Sequence, residues 1–424
     1  MRITIVTIGT RGDVQPYVAL ARGLDAAGHE TTLCTHSTFR GFVEGYGVRF
    51  APMAGDVRAI LESDAGREVL SRKNPIAMTR GMTDLAAPIL RQVGLDILAA
   101  THGTDLILAS SLGYFNAITA SQVNNVPLIM ASLQWWTPTR AFASASARPL
   151  PQGIPLSGAL NRVSYASIAW ILVAVAGRLL NTIRREQSGL PPLGYRDFFQ
   201  AIETQRDPVI YPVSESVVPR PPEWGANVHQ TGFWFLDQAS TYTPPAALLD
   251  FLAADDPPVY IGFGSMSDRD PAAVGAMARE ALRRTGQRGI ILSGWGGIES
   301  NGSDGHDDRV FMLDGAPHDW LFPRMAAVVH HGGIGTTAEA LRAGIPQVIV
   351  SYSADQPFWG AQMTRLGAAS GWIRRYRLTT DKLTGLIRAA VGDARVRESA
   401  RMLAARIRAE DGVARAVEVI GRLG

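Results

Sequence analysis

Residues Val328–Gly360, VVHHGGIGTTAEALRAGIPQVIVSYSADQPFWG, pass from a short apolar run through a glycine-rich turn into a helical pattern and a second apolar run. Strand, turn, helix and strand in that space make one unit of a parallel, open α/β sheet. The turn is itself a potential anion site. The first N–H groups of a helix have no partner inside it, and the helix dipole favours negative charge there. Gly332, Gly333 and Gly335 let backbone come close to a phosphate, and His331, Thr336 and Thr337 add side-chain donors. The second run, Val348–Val350, carries Asp355 and Gln356 to the same end of the sheet, the end where such sheets bind ligands. Phosphate donors beside an Asp–Gln pair suited to sugar hydroxyls suggest a nucleotide-sugar.

The alternation recurs along the chain. ITIVTIG, TRGD, VQPYVALARGLDAAGH and ETTLCT read as strand, loop, helix from Val14, and strand, with Gly28 closing the helix. Asp105–Ser110 and Pro127–Ala131 are further short apolar strands, and residues 140–158 form a long Ala/Ser/Pro/Gly-rich loop. DQASTYTPP at Asp237–Pro245 has the composition of a linker, after which strands and helices resume at PVYIGFGS, GIILSGWG and RVFML. Arg397–Leu423 has helical spacing. The expected organisation is two Rossmann-like units, 1–236 and 246–405, joined by 237–245, with a terminal helix in 406–424.

Composition narrows the function. At 424 residues, 46% hydrophobic and 19% charged, the chain can build two or three cores. Net charge is only +3, lysine occurs only at Lys73 and Lys382, and no basic run is interleaved with aromatics, which argues against a nucleic-acid partner. Cys34 is the single cysteine, so an internal disulfide and a cysteine-based metal site are excluded, and a reducing cytoplasm is the expected setting. The apolar run at Ile3–Ile8 is too short for a signal peptide. Val163–Gly177 is uncharged but short of the ~20 residues of a spanning helix, leaving a core helix or a membrane-surface contact as its readings. No HExxH or GxxxxGK[ST] occurs, and Asp268 and Asp270, just before a helix, read as N-capping.

HHGGIGTT followed by ADQPFW, with ITIVTIGTRGDVQPYVALARGL, HQTGFWFLD and PPVYIGFGSMSD, resembles glycosyltransferase family 1, in particular sterol glucosyltransferases and bacterial antibiotic-aglycone glycosyltransferases. The resemblance implies the GT-B fold, two doubly wound α/β domains facing a central cleft. It implies inverting, metal-independent transfer of a hexose, with UDP-glucose or a TDP-deoxysugar as donor and no cofactor. The terminal helix would cross back to the first domain. His331, Gly333, Gly335, Thr336, Thr337 and Ser265 would hold the diphosphate, Asp355 and Gln356 the sugar, and Trp295, His318 and Glu339 the nucleoside. His330 would support the turn. Trp295 reads equally as a core residue, and Glu339 equally as an exposed helix glutamate.

Asp13 is the candidate general base, although a residue at that place also serves as a helix cap. Gln134, Trp135 and Trp136, the loop to Pro155 and the apolar helix after it are expected to line a pocket for a hydrophobic acceptor such as a sterol, triterpene or polyketide aglycone. The rivals are a nucleotide-sugar 2-epimerase of the same architecture, disfavoured by Trp135–Trp136, and a binding protein without turnover, disfavoured by Asp13, His331, Asp355 and Gln356.

Overall fold

The computed structural model describes residues 1–55, 59, 63–70, 74–147, 156–194, 197, 202, 207–264, 266, 270–293 and 308–423. The chain divides into two compact units. One comprises Met1–Glu215, Pro219–Leu236 and Asp411–Gly424, and the other Ser216–Val218 and Asp237–Glu410.

In the first unit the strands are β1 (Arg2–Val6), β2 (Glu30–His36), β3 (Arg49–Met53), β4 (Leu106–Ala109), β5 (Leu128–Ala131), β6 (Val209–Tyr211) and β7 (Val228–Gln230). They form one parallel sheet in the order β3-β2-β1-β4-β5-β6-β7. Its helices are α1 (Arg11–Ala26), α2 (Arg40–Glu44), α3 (Asp64–Leu70), α4 (Pro75–Ala100), α5 (Ser111–Asn124) and α6 (Ser157–Ser188). Ile3, Ile5, Val6, Leu33 and all of β4 are buried, because a parallel sheet covered on both faces needs apolar residues throughout. The order reverses between β1 and β4, which opens a crevice at their C-terminal ends.

The second unit repeats the plan with β8 (Val259–Gly262), β9 (Gly289–Leu292), β10 (Val310–Leu313), β11 (Ala327–His330), β12 (Gln347–Ser351) and β13 (Ala369–Arg374), ordered β10-β9-β8-β11-β12-β13. All pairs are parallel, and the order reverses between β8 and β11. The helices are α7 (Ala246–Ala253), α8 (Pro271–Thr285), α9 (His318–Leu321), α10 (Ile334–Ala343), α11 (Gln356–Arg365), α12 (Thr380–Gly392) and α13 (Ala394–Arg408). Side chains alternate across this sheet. Val259, Ile261 and Val329 pack against α8 and α12, while Tyr260 and Val328 join Leu248, Phe322 and Ala340 on the opposite face. Asp270 caps α8 by accepting the N–H of Ala273 at 2.9 Å. The last helix, α14 (Gly412–Leu423), belongs to the first unit, where a Cβ on Gly23 of α1 would lie 2.3 Å from Val413.

Candidate active site

The crevice of the second sheet is built from the ends of β8 and β11. His330, the last residue of β11, is fully buried; its Nε2 pairs with Gln347 Oε1 at 2.9 Å and its Nδ1 accepts the N–H of Gly332 at 3.1 Å. Burial and the adjacent His331 push its pKa down to about 3, so it stays neutral and holds the turn. Gly332 has φ +90°, and a Cβ there would meet Ile349 at 2.8 Å, so only glycine fits.

His331 is lodged between two glycines. A Cβ on Gly264, just past β8, would meet its ring at 3.0 Å, and one on Gly333 would come within 2.4 Å of Nε2. Desolvation lowers its pKa to about 4, and its buried Nδ1 has no hydrogen-bond partner. A neutral imidazole at a topological switch point, beside the start of α10, is a donor held ready for an anion. Gly333 is the N-cap of α10, and a Cβ on Gly335 would meet nothing within 4 Å, so open space lies beside it. Thr336 stays partly exposed in the first turn. Thr337 is fully buried and its hydroxyl donates to the Gly333 carbonyl at 2.9 Å, which leaves Thr336 as the available hydroxyl.

Glu339 is not an exposed helix glutamate: it lies on the buried face of α10, 7% exposed. Burial raises its pKa to about 7, against the pull of Arg342, whose guanidinium is 2.9 Å away. Arg342 also reaches Asp237 at 2.6 Å. Neither partner was read from the sequence, although Glu339 and Arg342 stand at the helical i, i+3 spacing. His318 opens α9 and stacks on Phe322 at 4.3 Å.

Asp355 and Gln356 are buried, because Trp359 and Phe358 draw the turn into the core. Asp355 Oδ2 accepts the Trp359 indole N–H at 2.9 Å. Gln356 Oε1 accepts the N–H groups of Tyr352 and Ser353 at 2.7 and 3.1 Å, while its amide nitrogen faces Met266 Sδ at 3.2 Å. Ser265 and Trp295 lie outside the described residues. Among the described residues no three His, Cys, Asp or Glu gather as a metal-ligand set.

In the first unit, α1 starts at Arg11 and not at Val14, with Thr10 as its N-cap. Asp13 is the third helical residue; its Oδ2 accepts the Thr10 N–H at 2.8 Å and the Thr10 hydroxyl at 3.1 Å. The carboxylate crowds Gly9, where a Cβ would stand 2.3 Å from Oδ2. Burial raises the Asp13 pKa, and the two Thr10 donors partly counter it. Asp13 thus stands at the β1/β4 crevice. Ser111, the first residue of α5 after β4, was not singled out in the sequence; its hydroxyl donates to Gln134 Oε1 at 2.7 Å.

Trp135 does not line a pocket. Beyond β5 the chain alternates inward and outward: Leu133, Trp135 and Thr137 are buried, while Gln134 and Trp136 are partly exposed. Trp135, 2% exposed, packs on Tyr211, Phe142 and Trp224 with ring centroids 4.8, 5.5 and 5.4 Å away. Nor is the apolar stretch from Val163 a core helix, since Val163 and Trp170 are exposed.

The N-terminal domain of glycosyltransferase family 28 matches residues 3–143, and the C-terminal domain of erythromycin biosynthesis protein CIII-like proteins matches residues 305–423. A sterol 3-beta-glucosyltransferase of Arabidopsis thaliana is 36% identical over 432 residues, covering 99% of this chain and 65% of its own length. A second from the same plant is 34% identical over 428 residues, covering 100% of this chain and 68% of its own. Among solved structures, the glycosyltransferase of kitacinnamycin superposes with TM-score 0.71 at 19% identity, covering 99% of this chain and 98% of its own. The glycosyltransferase VinC, solved in complex with dTDP, gives 0.66 at 18%, covering 100% and 99%. From its two parallel α/β units and a match that runs the whole of this chain but only about two thirds of the two plant relatives' own length, the chain belongs to the GT-B glycosyltransferase family.

Proposed function

We propose that this protein transfers a hexose, with inversion, from a nucleoside diphosphate sugar to a hydroxyl of a hydrophobic small molecule. UDP-glucose is the donor and a sterol-like, triterpene or polyketide aglycone the acceptor. The observation that carries the reading is the neutral His331 imidazole, held at the β8/β11 crevice with an unpartnered buried nitrogen next to the open N-terminus of α10. Those donors stabilise negative charge on a departing diphosphate, the task a metal ion would otherwise perform, and we propose that no metal is needed. In the step itself the acceptor oxygen bonds to the anomeric carbon as the bond from that carbon to the diphosphate oxygen breaks. Asp13 takes the acceptor proton, and its raised pKa makes it a stronger base than an ordinary aspartate. Asp355 and Gln356 shape the sugar end of the donor site, and Glu339 and His318 the nucleoside end. Gln134 and Trp136 face the acceptor.

The identity to sterol 3-beta-glucosyltransferases along the whole chain supports a glucosyl donor and a sterol-like acceptor. A TDP-deoxysugar donor is the second reading, favoured by the erythromycin-type C-terminal domain. Calorimetric titration with UDP and with TDP separates them. Tighter UDP binding supports the first reading and tighter TDP binding the second, whereas binding of neither removes both.

A further inference from the structure

Helix α6 is long and apolar enough to cross a membrane by length and composition, and it leaves large apolar side chains exposed. Four of its polar side chains point inward. Asn161 donates to the Arg140 carbonyl at 2.9 Å, and Tyr165 to that of Phe142 at 3.4 Å. Asn181 exchanges two hydrogen bonds with the Leu193 backbone at 2.7 and 2.8 Å. Buried Arg184 reaches the Pro191 carbonyl at 2.7 Å and the Thr119 hydroxyl at 3.1 Å. Outward, at helical spacing, stand Leu156, Leu160, Val163 and Trp170, 79, 49, 59 and 64% exposed. Leu156 is held out by a left-handed backbone, φ +63°, a conformation unfavourable for leucine. A row of exposed large apolar side chains of this kind marks an interaction surface.

We propose that this face of α6 docks on an anionic lipid bilayer. Charge selects the partner: Arg162, Arg178 and Arg185 are exposed, and the one acidic residue of the helix, Glu186 near its C-terminal end, is paired with Arg91. An apolar stripe centred on a tryptophan and flanked by arginines matches the layering of acyl chains, interface and anionic headgroups. The inward hydrogen bonds keep the helix on the surface, because spanning would strand Asn161, Asn181 and Arg184 in hydrocarbon. A second copy of the chain fits poorly. A twofold axis through Trp170 would set Arg162 against the partner's Arg178, like charge on like, since both stand eight residues from it. The docking stands on this helix alone and does not depend on the proposed reaction.

The test is cosedimentation of the full chain with vesicles of phosphatidylcholine, and of phosphatidylcholine mixed equally with phosphatidylserine. Binding to the mixed vesicles, weakened by salt, is expected. Trp170→Asp should reduce it at least about tenfold, and Arg162→Gln or Arg178→Gln about fivefold each. Size-exclusion elution and nucleotide titration of the variants, both unchanged, separate lost docking from lost folding. Failure to sediment with either vesicle overturns the proposal, as does unaltered binding by Trp170→Asp. A solution dimer that Trp170→Asp disperses, in a chain that ignores vesicles, assigns the face to a second copy and overturns it too.

Discussion

Asp13 Oδ2 accepts both the backbone N–H and the hydroxyl of Thr10, so the carboxylate proposed as the base closes the first turn of α1. The two roles separate by substitution. Asp13→Asn keeps an oxygen for Thr10 but cannot take a proton, and should lower turnover about 10²–10⁴-fold with little change in melting temperature. Asp13→Ala should lose turnover and also about 0.5–2 kcal/mol of stability. Because burial raises the Asp13 pKa, wild-type activity should fall, as the pH drops, at a higher pH than an ordinary aspartate would give. Turnover and thermal unfolding measured together decide; an active Asn variant leaves Asp13 with its capping role alone.

Gly333 has no need of glycine for its backbone, with φ −64°, yet a Cβ there would lie 2.4 Å from His331 Nε2. Gly333→Ala should therefore displace the imidazole at small cost in stability and weaken nucleotide binding roughly tenfold. His331→Ala should do the same. Titration calorimetry of both variants is the check, and wild-type affinity in both would remove the imidazole from the phosphate site.

Glu339 gives a pH signature. Its folded pKa of about 7 exceeds the ordinary value of 4.5, so over that interval the folded chain binds more protons than the unfolded one. Its contribution to stability is then full below about pH 4.5 and falls as pH rises towards 7. Glu339→Gln should flatten that part of the stability–pH curve, followed by urea unfolding between pH 4.5 and 8. An unchanged slope would show that Arg342 keeps the carboxylate ionised.

Trp135 belongs to an aromatic cluster with Tyr211 and Trp224, so Trp135→Ala should act on stability, by about 3–5 kcal/mol, rather than on acceptor choice. Chemical denaturation measures it, and a variant of normal stability with altered acceptor selectivity would return Trp135 to the pocket.

Much of this was legible in the sequence because local chemistry wrote it there. The β11–α10 turn needs glycine at 332 for its positive φ, and β4, β5 and β9 needed only short apolar runs. What escaped depended on facing. Thr10 and Asp13 carry a capping signature, but the apolar pattern drew the helix start to Val14. Adjacent Trp135 and Trp136 read as a pair, although extended chain sends neighbours to opposite sides. Glu339 is ionisable yet lies on a buried face, where Arg342 accompanies it. In α6 apolar residues suggested a core, whereas Asn161, Asn181 and Arg184 bond inward, Val163 and Trp170 are exposed, and the helix runs on through Arg178 and Arg184.

Gly335 offers the most direct test that the start of α10 cradles a diphosphate. Nothing stands within 4 Å of where its Cβ would be, so Gly335→Ala should stabilise the free protein, by about 0.4–1 kcal/mol, while obstructing a bound phosphate. UDP and TDP titrated calorimetrically into wild type and variant give the answer. The account predicts that wild type binds one of the two nucleotides and that the more stable variant binds it at least about tenfold more weakly. Equal affinity in wild type and variant, or no binding by either, would contradict it.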